Sequence, residues 1–147
     1  MEVLDPEHSG INLFDENWKI YSRNSGHTGH VIGDNAKVED SMITDGCVVK
    51  GSVKHSILFS GVKVEEGAVV EDAVVMGGTL IKKGAKVVHC IVAENAVIGE
   101  DACVGAKPDG DEVGEVATIA PGVTIGANAV IGPDAMVYDD VEEGQTC

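Results

Sequence analysis

The sequence predicts an all-β chain that winds as a parallel β-helix of about six triangular coils. Three observations predict this fold. Aliphatic residues recur in steps of 5, 6 and 6, so the full repeat is 17 residues. Alanine follows many of these positions four residues later. Only 3% of the 147 residues are aromatic while 19 are glycine, which favours a thin core of small aliphatic side chains.

The repeat defines which side chains face the core. A helix would show a 3.6-residue period and an ordinary strand a strict alternation, and neither period fits. A six-residue unit fits a short strand plus a corner, and three units close one coil that stacks on the next at about 4.8 Å. The inward positions are Ile32, Val38, Ile43, Val49, Val53, Leu58, Val64, Val70, Val75, Ile81, Val87, Val92, Ile98, Val104, Ile119, Ile125, Ile131 and Val137.

The repeat also divides the chain into segments. Residues 1–31 carry no repeat and form an extended lead-in segment, and residues 32–137 form the β-helix. Residues 105–118 interrupt the aliphatic columns and predict an acidic, glycine-rich loop insertion. Residues 138–147 form an acidic tail that either caps the coil or stays disordered.

Charge and cysteine usage exclude several classes of function. The net charge of −15 disfavours nucleic acid and anionic membranes as partners. No apolar run approaches the roughly 18 residues that span a bilayer, and the acidic N-terminus does not fit a signal peptide, so a cytoplasmic location is expected. The four cysteines lack CxxC spacing, which disfavours zinc and disulfides; Cys47 and Cys90 should face inward and Cys103 outward.

Aligning the coils on the 17-residue step predicts the outward columns. One column alternates acid and imidazole, and it consists of Asp40, His55, Asp72 and His89. Opposite charges on neighbouring strands stabilise an in-register stack by roughly 0.2–1 kcal/mol per pair. This column is therefore expected to be a structural charge ladder.

Another outward surface is apolar. Its residues are Met42, Ile57, Val74 and Ile91, beside Thr44, Phe59, Met76 and Ala93. Contiguous apolar patches of this kind seldom face water in a monomer. Two interpretations stay open: residues 11–31 of the same chain cover the patch, or it docks another domain or subunit.

Several segments carry a family resemblance. They are Trp18-Lys-Ile-Tyr-Ser-Arg-Asn24, Asp45-Gly-Cys47, Gly51-Ser-Val-Lys-His-Ser-Ile-Leu-Phe59, Gly61-Val-Lys-Val-Glu-Glu-Gly-Ala68 and Val70-Glu-Asp-Ala-Val-Val-Met76. Together they resemble the C-terminal β-helix domain of bacterial glucose-1-phosphate adenylyltransferases, including their non-catalytic partner subunits. The resemblance is strong from about residue 12 to residue 104.

The resemblance implies a left-handed coil and a role in glycogen synthesis. The family makes ADP-glucose from ATP and glucose 1-phosphate with Mg²⁺, on an N-terminal nucleotidyltransferase domain. This sequence has no glycine-rich phosphate loop, so no catalytic residue, cofactor site or metal site is expected in it. The resemblance further implies packing on the catalytic domain, assembly of a tetramer and allosteric effector sites between domains.

The interface expected from the apolar patch and the resemblance can be given by residue. It comprises Met42, Ile57, Phe59, Val74, Met76, Ile91, Trp18 and Tyr21. The resemblance implies effector sites that use basic residues, some of them near the C-terminal end, but no Lys or Arg follows Lys107. Arg23 is the remaining candidate for an anion or effector contact.

Other functions of hexapeptide β-helices are the alternatives. Acyltransferases of this fold use a histidine as general base, for which His55 and His89 are the candidates. Carbonic anhydrases of this fold need three zinc-binding histidines, and His27 and His30 lie close together before the coils. A stand-alone structural β-helix is the third alternative.

Overall fold

A computed structural model describes residues 15–18, 26–108 and 116–147, and in these residues the chain forms 18 short strands in three sheets. Sheet A comprises β1 (Val31–Ile32), β4 (Val48–Val49), β7 (Lys63–Val64), β10 (Leu80–Ile81), β13 (Val97–Ile98) and β16 (Thr124–Ile125). Sheet B comprises β2 (Lys37–Glu39), β5 (Ser52–Lys54), β8 (Val69–Glu71), β11 (Lys86–Val88), β14 (Cys103–Val104) and β17 (Val130–Ile131). Sheet C comprises β3 (Met42–Ile43), β6 (Ile57–Leu58), β9 (Val74–Val75), β12 (Cys90–Val92), β15 (Ala117–Ile119) and β18 (Met136–Val137).

Each coil visits the three sheets in turn, and every strand pairs in parallel with its counterpart one coil away. Leu80 pairs with Val97, and Ile81 pairs with Ile98, at the 17-residue step found in the sequence. The chain is therefore a parallel β-solenoid of six coils, which confirms the predicted fold class.

The core is the stack of inward aliphatic side chains. The predicted inward positions from Val49 to Val137 are all buried, most of them completely. In the first coil, by contrast, Ile32 and Val38 are 42% and 38% exposed. The described part of the chain places no further coil above them, so these inward residues lie at the open end of the solenoid.

The predicted cysteine positions match the structure. Cys47 and Cys90 are buried, and Cys103 is partly exposed on the outer side of β14. Cys90 stacks between Ala73 and Ala117 in one inward column of sheet C. Both buried thiols are therefore part of the packed core.

The insertion and the tail have defined places. Strand β14 ends at Val104 and strand β15 begins at Ala117. The predicted loop, residues 105–118, therefore starts where expected and ends two residues earlier than expected. In the tail, Val141 and Thr146 form parallel bridges with Ile125 and Val130. Val141 is 6% exposed, so the tail covers the ends of sheets A and B.

Candidate functional site

The outer face of sheet C is the candidate functional site. Its first column follows from the strand register and consists of Met42, Ile57, Val74, Ile91, Thr118 and Met136. Backbone hydrogen bonds between coils align a second column, which consists of Thr44, Phe59, Met76, Ala93, Ala120 and Tyr138. We call these two columns the apolar face. It crosses all six coils and contains no charged residue.

The apolar face is accessible to solvent in the described chain. Phe59 and Ile91 are 46% and 37% exposed, and Met136 and Tyr138 at the C-terminal end are 67% and 71% exposed. The other large side chains of the face are half-buried by their neighbours in the columns. Among residues 15–18, 26–108 and 116–147, no segment covers these side chains.

The C-terminal third of this face was not among the residues predicted from the sequence. Met136 directly precedes the inward Val137, just as Ile91 precedes the inward Val92. The six-residue step therefore carried the signal for Met136 and Tyr138, but the inserted loop separated them from the other residues of the columns.

Trp18, Tyr21 and Arg23 of the lead-in segment were predicted as interface or effector contacts, and the structure describes only the first of them. Trp18 is 74% exposed and closes a turn in which its backbone N–H donates to the Asp15 carbonyl oxygen at 3.2 Å. Nothing in the described chain places Trp18 against the apolar face. Tyr21 and Arg23 lie outside the described residues, so their predicted roles stay predictions.

Hydrogen-bonded polar side chains lie along one edge of the apolar face. The Ser60 hydroxyl donates to an Asp45 carboxylate oxygen at 2.9 Å, and the hydroxyls of Thr44 and Ser60 lie 3.3 Å apart. Beneath these side chains, the buried Cys47 thiol donates to the Phe59 carbonyl oxygen at 3.1 Å. These bonds hold the backbone of Phe59 in place and leave its ring on the surface.

The predicted charge ladder lies at the corner between sheets B and C. Its four residues Asp40, His55, Asp72 and His89 all have positive φ, from 43° to 51°. Nδ1 of His55 lies 2.6 Å from Oδ1 of Asp72. Non-glycine residues at positive φ carry a backbone cost of roughly 1–2 kcal/mol each, and the acid–imidazole contact offsets part of that cost.

The inserted loop begins over this ladder. Nζ of Lys107 donates to Oε1 of Glu71 at 2.7 Å, and Nζ of Lys54 lies 3.8 Å from the same oxygen. The hydrogen bond to Glu71 raises the pKa of Lys107. A groove of about 360 Å³ remains between the loop and the ladder, and it is lined by His55, Asp72, His89, Lys107 and Pro108.

The ladder could orient an imidazole, but it does not form a metal site. A carboxylate on Nδ1 fixes the tautomer of a histidine, which is what a general base needs. Among residues 15–18, 26–108 and 116–147, no three His, Cys, Asp or Glu side chains are grouped so that they could hold a metal ion. None of these residues belongs to a helix that could span a lipid bilayer.

Burial raises the pKa of the Cys90 thiol to about 12. An unfolded thiol ionises near pH 8.5, so rising pH favours the unfolded chain once that value is passed. The contribution of Cys90 to stability is intact below about pH 8.5 and falls as the pH rises toward 12, by at most about 1.4 kcal/mol per pH unit.

We therefore expect the free energy of unfolding to fall less steeply between pH 8.5 and 10.5 in Cys90→Ala than in the parent chain. Urea unfolding at a series of pH values measures this slope. Cys103→Ala is the matched control, because it removes a thiol that is not buried, and it should keep the parent slope. Equal slopes in the parent and Cys90→Ala would contradict the prediction.

The fold, the six-residue repeat and the continuous outer face define the chain as a hexapeptide-repeat β-solenoid. The chain belongs to the family described as GlmU-like, C-terminal hexapeptide, whose model matches residues 27–125.

Curated relatives make the likeness more specific. The chain is 44% identical over 113 residues to the glucose-1-phosphate adenylyltransferase of Bacillus mycoides (strain KBAB4), and 43% identical over 113 residues to that of Bacillus anthracis. Each alignment covers 77% of this chain and 30% of the relative, so the chain spans less than a third of the length of these relatives. The predicted resemblance to the C-terminal hexapeptide-repeat region of that enzyme is confirmed.

A solved structure supports the fold alone. The acetyltransferase domain of PglB from Neisseria gonorrhoeae FA1090, in complex with acetyl coenzyme A, matches with a TM-score of 0.56 and 21% sequence identity. The match covers 82% of this chain and 54% of the acetyltransferase domain.

Proposed function

We propose that this chain is the C-terminal β-solenoid part of a glucose-1-phosphate adenylyltransferase, and that its apolar face packs against the nucleotidyltransferase domain. The observation that carries this proposal is the continuity of the face, which runs through all six coils without a charged residue. The 44% identity to curated glucose-1-phosphate adenylyltransferases supports the choice of a nucleotidyltransferase domain as the partner.

The contrast with sheet B supports a docking role. On the outer side of sheet B, Glu39, Lys54 and Glu71 stand in register, and the neighbouring column contains Lys37 and Lys86. Charged residues are depleted from the cores of protein interfaces and aromatic residues are enriched there. Sheet C therefore has the composition of an interface and sheet B has that of a solvated surface.

Phe59 is the expected anchor of the contact. It lies in the second of six coils, its ring is 46% exposed, and its backbone is held by the contacts of Thr44 and Cys47. An aromatic ring on a rigid backbone loses little conformational entropy on binding, so it contributes most of its burial to affinity.

In this proposal the chemistry belongs to the partner. Mg²⁺, ATP and glucose 1-phosphate would bind the nucleotidyltransferase domain, and this chain would contribute assembly and regulation in a cytoplasmic oligomer such as a tetramer. Arg23 would be the effector contact nearest to the domain boundary. The glycine-rich phosphate loop that adenylyl transfer needs is absent from this sequence.

The test is binding of this chain to the isolated nucleotidyltransferase domain of a Bacillus relative, measured by isothermal titration calorimetry. We expect Phe59→Glu to weaken binding at least about tenfold, because it places a charge in the middle of an apolar contact. Val97→Glu is the control, since Val97 lies on the outer side of sheet A in β13 and is also partly buried. Equal loss in both variants, or no loss in Phe59→Glu, would refute the proposed docking face.

A further inference from the structure

The second coil turns the corner between sheets A and B with two residues fewer than its neighbours. From sheet A to sheet B the inward positions are six residues apart in the first and third coils, Ile32 to Val38 and Val64 to Val70. In the second coil Val49 and Val53 are only four apart, although both pair in register with those neighbours. Lys50 and Gly51 span a turn that takes four residues in the first and third coils.

The shortened turn leaves a notch between the corners of the first and third coils. It has a volume of about 330 Å³, and Gly51 forms its floor. The corner of the first coil contributes Asn35 to one wall, and the corner of the third coil contributes Gly67 to the other. We call this cavity the corner notch.

Backbone hydrogen bonding shows which group faces the notch. In later coils the residue equivalent to Gly67 donates its N–H to the preceding coil: Gly84 to the Glu66 carbonyl oxygen at 3.3 Å, and Asp101 to that of Lys83 at 3.0 Å. The second coil has no residue at the acceptor position, so the N–H of Gly67 has no backbone partner among the described residues. By analogy with its equivalents, it is directed into the notch.

The side chains around the notch add donors. Lys37 and Lys50 both line it, and neither ammonium group has an ion-pair partner among the residues that the structure describes. Ser52 adds a hydroxyl, and Glu66 is the single carboxylate in the lining. Two ammonium groups, a hydroxyl and a backbone N–H in a turn of positive φ suit an anion with several acceptor oxygens.

We propose that the corner notch binds a small phosphate-type oxyanion, held between Lys37 and Lys50 with the N–H of Gly67 as a backbone donor. The site is independent of the apolar face, because it opens at the corner between sheets A and B. It is a local positive site on a chain of net charge −15, so its selectivity comes from the placement of the donors and not from the overall field.

The test is a titration of the ¹⁵N-labelled chain with inorganic phosphate, followed by the amide signal of Gly67, against sodium chloride at matched ionic strength. We expect a saturable shift of this signal with phosphate and none with chloride. Lys50→Gln should weaken the phosphate affinity at least about tenfold, because it removes a hydrogen bond to a charged group.

Lys63→Gln is the matched control, because Lys63 lies on the outer side of sheet A and does not line the notch. It should leave the titration unchanged. Signals outside the notch that match those of the parent would show that both variants are folded. A linear or absent shift at Gly67, or a shift that Lys50→Gln retains at parent affinity, would overturn the proposal.

Discussion

Replacing Ile81 by alanine is expected to lower the free energy of unfolding by about 3–4 kcal/mol. Ile81 is completely buried in the fourth of six coils, and it pairs in register with Val64 on one side and Ile98 on the other. Backbone hydrogen bonds on both sides hold its coil at a fixed spacing, so the core cannot collapse into the cavity. Urea unfolding followed by circular dichroism measures the loss.

Leu80 provides the control within the same strand. It precedes Ile81 in β10 and lies on the outer side of sheet A, where it is only partly buried. Leu80→Ala deletes a similar volume without opening a core cavity, so it should cost less than about 1 kcal/mol. A loss as large in Leu80→Ala as in Ile81→Ala would mean that the strand faces were assigned the wrong way round.

The direction of Ile81 was predictable because repetition fixes it. A single six-residue segment is ambiguous, but a step of 17 residues repeated through the chain leaves one alignment in which the recurring aliphatic positions all face inward. The same alignment predicted that Cys90 is buried, that His55 stacks beside Asp72, and that Phe59 lies on an apolar surface, and the structure confirms each of these placements.

Features that break the repeat were harder to predict. Met136 and Tyr138 belong to the apolar face. The insertion before β15 breaks the 17-residue step, so that step does not align these two residues with the earlier coils. Lys107 lies in the inserted loop, which has no periodicity, and it contacts Glu71, 36 positions earlier in the chain. Nothing in a hexapeptide pattern encodes such a contact, because it depends on the path of the loop and not on the coil.

The shortened turn was visible in the sequence as a step of four residues, but its consequence was not. Knowing that Val49 and Val53 are close says nothing about where the neighbouring corners lie. Only the register of three successive coils shows that Gly51 faces the corner of the third coil directly. The notch is therefore a property of stacking, which a one-dimensional pattern does not contain.

Gly51→Ala is expected to destabilise the chain by about 3 kcal/mol, the upper end of the usual cost of overpacking. A Cβ at this position would collide with the carbonyl oxygen of Ala68 and lie 2.7 Å from that of Glu65. Both obstacles are backbone atoms of the next coil, so no side-chain rotation relieves the contact. The Ala68 oxygen also accepts the N–H of Ser52 at 2.8 Å, and the collision would weaken that bond.

Gly33→Ala separates this effect from a general intolerance of side chains at the corner. Gly33 lies at the same corner one coil earlier, and a Cβ there would make ordinary contacts of 3.4 Å with Cγ of Lys50 and the Val49 oxygen. Thermal and urea unfolding should therefore place Gly33→Ala within about 0.5 kcal/mol of the parent chain. If both variants lost stability equally, the close approach of the second and third coils at Gly51 would be wrong. The corner notch, which exists because that turn is two residues shorter than its neighbours, would then be wrong with it.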